Sequence, residues 1–262
     1  MELFEAFLLL LCGLVAGFAA GLFGIGGGVI LVPAFWFLFH SFGVSEEVAV
    51  KLSVATSLSV IAITTLFTSG LHLLKGSLRL KELLSLLLYA LPGVALGVWV
   101  ASKISGIFLK KLFGALLVLL GIRSLTGSRP KVKRESSSPL LIPLTVFVSG
   151  FFSSLFGIGG GVVVNASLFN FSSLPAERVV ALASFVSFIN ALAGTLFYLF
   201  VPAQKVLNYQ VGFVYLPAAV LVSIGSLIGS RIGLFFLRRL NRTYLKRAFG
   251  ALMIVLGIKS FI

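Results

Sequence analysis

The sequence predicts an all-α polytopic membrane protein, built as an inverted repeat of two homologous halves. Three observations carry this prediction: long uncharged apolar segments, a glycine-rich run that occurs twice, and a lopsided distribution of positive charge. Each half is expected to contain a helical hairpin broken at GIGGG, followed by three transmembrane helices. That gives eight full spans plus two hairpins, or ten spans.

Hydropathy comes first. Of the 262 residues, 59% are hydrophobic and 11% are charged, where a soluble domain is roughly half apolar and a quarter charged. Leu8 to Ile30 carries no charged side chain and exceeds the ~20 residues a membrane helix needs. The N-terminal MELFEAF has Glu2 and Glu5 but no basic residue, so it is expected to stay as the first membrane helix and not to be cleaved as a signal peptide. The first half divides into apolar segments at about 3–23, 27–41, 48–71, 83–103 and 107–125. The second divides at about 140–156, 160–172, 178–201, 211–231 and 244–262. The pieces after GIGGG are short for a span, and fit short helices or the return arms of re-entrant hairpins.

The repeat is read from three matches. GLFGIGGGVILVPAF (Gly21 to Phe35) corresponds to SLFGIGGGVVVNASL (Ser154 to Leu168), 133 positions on. Thr65-Leu66-Phe67 corresponds to Thr195-Leu196-Phe197 at an offset of 130, and FGALLVLLGIRS (Phe113 to Ser124) to FGALMIVLGIKS (Phe249 to Ser260) at 136. The chain thus divides into a first membrane repeat (1–125), a hydrophilic linker (126–139) and a second membrane repeat (140–262).

Charge sets the expected orientation. If each half crosses an odd number of times, 15 of the 21 Lys and Arg residues share the linker's face: those within 75–81, 123–134 and 231–247, and Arg178. The other face then holds six: Lys51, Lys103, Lys110, Lys111, Lys205 and Lys259. Parallel copies would split them 10 to 11. The first split obeys the positive-inside rule, so the second copy is expected to be inverted, with the linker cytoplasmic and both termini outside. The net charge of +14 then serves topology and contact with anionic membrane lipids, and nucleic-acid binding is not expected. The lone Cys12 and the isolated His40 and His72 offer neither a disulfide nor a metal site, and no cofactor or catalytic residue is expected.

The functional reading centres on the breaks. Gly24, Gly26, Gly27 and Gly28 in the first copy, and Gly157, Gly159, Gly160 and Gly161 in the second, should end a helix inside an apolar segment. Broken backbone at membrane depth is tolerated only where protein or a water-filled cavity covers it. What results is a helix N-terminus whose free N–H groups and positive dipole end suit an anion. Inverted repeats bring two such ends together at the midplane, as in secondary transporters. Gly13, Gly17 and Gly21, spaced by four, are expected to serve close helix packing instead.

A second signal is a polar face. Ser53, Thr56, Ser57, Thr64 and Thr68 share one side of the helix after the first break, and Ser184, Ser187, Asn190 and Thr195 occupy the corresponding stretch. These side chains suit partial replacement of an anion's hydration, or equally hydrogen bonding between helices. Asn165 stands where the first copy has Val32, and an amide there points to a cavity-facing position.

The duplicated GIGGG, Pro33 after the first copy, the SVATSL run (Ser53 to Leu58) and the repeated FGALLVLLGIRS resemble the TauE/SafE-type sulfite exporter family (TSUP permeases). The resemblance covers essentially the whole chain. It implies transport of small sulfur-containing anions such as sulfite, thiosulfate, sulfoacetate or other sulfonates across the prokaryotic cytoplasmic membrane, with Ala166 for Pro33 and Val186 for Thr56 making the site asymmetric. An anion channel, or an importer of thiosulfate or another small organic anion, is the alternative, and the sequence leaves room for a homodimer. The chain has no Asp, and its seven Glu lie at segment ends or in loops, so the buried carboxylate relay of proton-coupled carriers is not evident. Export of an anion from a negative-inside cell needs none: the membrane potential supplies about 2.3 kcal/mol per charge per 100 mV.

Overall fold

A computed structural model of the chain describes residues 3–23, 27–74, 80–126, 140–237 and 242–261. Among these the chain forms α1 (Leu3–Phe23), α2 (Gly28–Ser41), α3 (Glu46–Leu74), α4 (Leu80–Lys103), α5 (Gly106–Thr126), α6 (Leu141–Phe156), α7 (Gly161–Phe171), α8 (Ala176–Phe200), α9 (Leu216–Leu237) and α10 (Arg242–Lys259). The linker beyond Thr126, and the cations Lys75 and Arg79, lie outside the described residues. Among the described residues, five helices contain stretches long and apolar enough to cross a membrane: Leu3–Gly21, Glu46–Gly70, Leu84–Lys103, Glu177–Phe200 and Leu216–Gly233. Large apolar side chains such as Phe37, Leu88, Trp99, Leu119 and Val255 point outward, exposed. In water such a belt would be costly; lipid tails are its natural cover.

The helices pair as α1 with α9, α4 with α6, α3 with α8, and α5 with α10. Exchanging the halves turns the α1–α9 pair into α6–α4 and maps the other two pairs onto themselves. Glycine makes these approaches possible. Gly13, Gly17 and Gly21 face the backbones of Val222, Ser226 and Ser230 with no room for a Cβ, and Gly225 and Gly229 pack reciprocally on Leu10 and Leu14. The order of contacts makes α1 and α9 run parallel. On α5 and α10, Gly114 meets Gly257 and Gly121 meets Gly250, so that pair runs antiparallel.

The drifts in repeat offset have local causes. α2 has 14 residues and α7 has 11, which accounts for the step from 133 to 130. The later gain of six falls between α8 and α9. There the expected helix from 211 does not begin until Leu216. Residues 201–215 instead form a loop closed by β1 (Gln210–Val211) and β2 (Val214–Tyr215), antiparallel, with Gln210 opposite Tyr215. Gly212 turns the hairpin at φ 53°. The buried Gln210 side chain accepts from Val206 N and Leu207 N and donates to the Gln204 and Gly212 carbonyls. An apolar run such as Val211 to Leu216 reads equally as buried strand or helix.

One end of the molecule collects charge. Lys110 Nζ lies 2.6 Å from the Glu46 carboxylate and 4.2 Å above the centroid of a Trp36 ring. Glu47 accepts from Gly106 N at 2.5 Å and Ile107 N at 3.3 Å, capping α5. It also sits 3.7 Å from Lys51, whose Nζ donates to Ser102 O.

Candidate functional site

At the second break α6 ends on Gly157 in the left-handed region (φ 71°), and Gly159 (φ 76°) and Gly160 (φ 79°) continue there. A Cβ disfavours this region, so three glycines let the chain reverse between Phe156 and Gly161. Gly160 then caps α7: Val163 N and Val164 N both reach its carbonyl, at 3.0 and 3.1 Å. The N–H groups of Gly161 and Val162 come too early for an intrahelical acceptor, and no side chain caps them.

The first break differs. Gly24 and Gly26 lie outside the described residues. Gly27 caps α2 in an ordinary right-handed conformation (φ −66°), again without a side-chain cap, while Ile30 N and Leu31 N return to its carbonyl. The two breaks touch. A Cβ on Gly28 would lie 2.5 Å from Ile158 Cα and 2.6 Å from Gly157 O. Ser57, near the middle of α3, donates to Gly157 O at 2.8 Å, and Ile61, one turn on, borders both Gly28 and Gly159.

Beside this junction is a cavity of about 300 Å³, at the small end of ligand sites, which run roughly 300–1,000 Å³. Gly27 contributes from one break, Ile158 and Gly161 from the other. Its remaining wall comes from the C-terminal half of α3 (Val60 to Thr68), the N-terminal half of α8 (Val180 to Ser187), Asn165 of α7, and α1 and α9 where Gly17 meets Ser226 and Gly21 meets Ser230. None of the described lining residues is charged.

Many lining hydroxyls already have acceptors: Thr64 donates to Val60 O, Thr65 to Ile61 O, Ser226 to Gly13 O and Ser230 to Leu227 O. The donors left for a guest are therefore the first-turn N–H groups at the two breaks and the Ser184 and Ser187 hydroxyls, which make no hydrogen bond among the described residues. Asn165 adds an amide whose Oδ1 is buried without a partner among the described residues.

Of the residues singled out from the sequence, Gly27, Gly161, Asn165, Ser184 and Ser187 line the cavity. Gly28, Gly157, Gly159 and Gly160 form the junction behind it. Ser53, Thr56, Ser57 and Asn190 are fully buried away from it. Ser53 donates to Ala49 O, Thr56 accepts from Tyr215 N at 3.1 Å, and Ser57 holds Gly157. Asn190 donates to Ser149 Oγ, and its Nδ2 lies 2.6 Å from where a Gly160 Cβ would stand. The sequence reading passed over Thr65, Ser226 and Ser230; on α9, Ser223, Ser226 and Ser230 at spacings of three and four were the available signal.

Residues 9–260 match the sulfite exporter TauE/SafE family. The chain belongs to that family. The chain is similar to a probable membrane transporter protein of Methanocaldococcus jannaschii, 28% identical over 96% of this chain and 93% of the relative. Another, from Haemophilus influenzae, is 28% identical over 97% of each. A third, YunE of Bacillus subtilis, is 22% identical over 95% of each. No solved structure matches the chain. As a TauE/SafE member with several apolar helices, this is a multi-pass membrane protein of a transporter family.

Proposed function

We propose that the protein exports a small sulfur-containing anion, sulfite or an organosulfonate, across the cytoplasmic membrane, with the anion held between the two glycine breaks. The observation that carries this reading is the cavity: both breaks border it, its described lining is uncharged, and neither helix start has a side-chain cap. Each helix N-terminus is equivalent to about half a positive charge, so the two together best match a singly charged anion, which for sulfite is the hydrogensulfite form. No described carboxylate lines the cavity to oppose it.

The inverted repeat is part of the proposal. Its supports are the 15-to-6 charge split, the antiparallel course of α5 and α10, and a cavity walled by the late half of α3 and the early half of its counterpart α8. On this reading the end bearing Glu46, Lys51 and Lys110 faces outward and the linker faces the cytoplasm. The membrane potential drives the anion out.

The test is flux of ³⁵S-labelled sulfite and methanesulfonate in proteoliposomes. A K⁺-diffusion potential of matching sign should drive saturable movement with no pH gradient. Movement that needs a pH gradient and ignores the potential would refute potential-driven export. Single-channel currents would replace the carrier with a channel.

A further inference from the structure

The larger cavity meets the junction from the side away from Glu46. It is walled by α1, α3, α8 and α9 at the end away from Glu46. On the Glu46 side of the Ser57–Gly157 bond, a small cavity lined by Val32, Val54, Lys110 and Phe156 lies against one face of α3, and the hairpin segment of residues 201–215 covers another, at Thr56. Phe213, Val214 and Tyr215 are all buried there, in the same apolar cluster as Phe39, Val54, Leu58 and Ile158.

The segment is held at three points. Tyr215 N donates to Thr56 Oγ1 at 3.1 Å, one residue before the Ser57 that grips the second break. The Tyr215 ring meets Phe39 edge-on at 5.8 Å. Phe213 N donates to Tyr198 O at 3.1 Å, and the two rings lie 6.4 Å apart. Internally the segment is braced by the four hydrogen bonds of Gln210. Only two hydrogen bonds, from Tyr215 N and Phe213 N, tie the segment to the body, against four made internally by Gln210, so opening would work chiefly against the burial of Phe213, Val214 and Tyr215.

The repeat isolates it further. The extra six positions of the second copy fall here, and Thr56, the anchor in the first copy, is Val186 in the second, which has no hydroxyl to offer.

We propose that the 201–215 hairpin is the gate on the Glu46 side of the anion site, and that the conformation described is loaded from the opposite side. Opening requires the Tyr215–Thr56 bond to part and the Phe213–Tyr215 strand to leave Phe39 and Tyr198. The role in transport rests on the proposed function; the gate itself is tested without reference to any substrate.

In a Cys12→Ser background, Thr56→Cys and Ser226→Cys report on the two sides. With a membrane-impermeant maleimide applied to each face of proteoliposomes, Thr56→Cys should label slowly from the hairpin side. Adding Phe213→Ala and Tyr215→Ala should speed that labelling about tenfold by making local opening easier, while Ser226→Cys labels from the other side at an unchanged rate. Equal Thr56→Cys rates with and without the alanines would overturn the gate. If the alanine variant does not fold, Thr56→Cys joined to Tyr215→Cys by oxidation gives the converse experiment. The bridged protein should lose ³⁵S-methanesulfonate flux until reduced. Bridged protein that still carries methanesulfonate would contradict the gate. Absence of flux in the unbridged parent would count against the proposed function and leave the labelling result standing.

Discussion

At the second break the equivalent of Gly27 is Gly160, and the two have different backbones: φ −66° at the first, 79° at the second. Their neighbours explain this. Gly160 must turn between Asn190 and Ser149, whose atoms would come within 2.6 and 2.8 Å of a Cβ, whereas a Cβ on Gly27 would have the end of Leu31 at 3.2 Å as its nearest neighbour among the described residues. The relation reverses one residue on. Gly28 is wedged against Ile158, but a Cβ on Gly161 would find ordinary contacts at 3.5 Å and beyond. At these two pairs of positions the duplicated motif has diverged: Gly160 supplies a left-handed turn, Gly28 a close approach, and both copies keep an uncapped helix start on the same cavity.

The sharpest way to break this comparison is to give both caps a methyl group. Gly160→Ala combines a left-handed φ with a clash and should cost about 2–5 kcal/mol. Gly27→Ala should cost less than ~1 kcal/mol, because a flexible leucine end gives way. Thermal unfolding in detergent reads both, and equal losses would mean the breaks are alike.

Ser57→Ala comes next. It removes the hydroxyl that pairs with Gly157 O in a fully buried position, and an orphaned buried acceptor costs about 1–3 kcal/mol. Ser187, its repeat equivalent, lines the cavity. Ser187→Ala should weaken methanesulfonate binding more than it lowers the unfolding temperature; the opposite ranking of the two serines would undo the division of labour.

How far the sequence foretold this follows from the same residues. The helical segments, their breaks and the pairing role of Gly13, Gly17 and Gly21 were legible, because apolar length and small-residue spacing are local signals. That Gly160 and Gly27 would differ was not, since their φ angles depend on residues 11 to 30 positions away, such as Ser149 and Asn190. The polar face of α3 was legible as a face but not as two functions: Thr56 and Ser57 meet the hairpin and the second break, while Thr64 and Thr68, two to three turns on, meet the cavity. Helical periodicity places side chains around the axis and says nothing of what lies opposite each turn. The hairpin escaped for want of periodicity in a short apolar run.

Charge selectivity sharpens the picture from the ligand's side. Two helix ends worth about one positive charge together should favour methanesulfonate over the similarly shaped, doubly charged thiosulfate by at least about tenfold in affinity. Competition against labelled methanesulfonate checks this, and equal affinities would point to a cation in the site. The smallest effect is expected on α9. Ser226 already donates to Gly13 O, so Ser226→Ala should cost about 0.6 kcal/mol, typical of a hydrogen bond between membrane helices, and leave binding nearly unchanged.

Gly161→Ala tests the central claim most directly. It adds one methyl group at the cavity wall, at an α7 position where the fold has room. The unfolding temperature without ligand should match the parent's, while the stabilisation produced by sulfite or methanesulfonate should fall, reporting affinity weakened about tenfold or more. A variant as stable as the parent that binds these anions equally well would place the anion site elsewhere, and return both glycine breaks to a packing role.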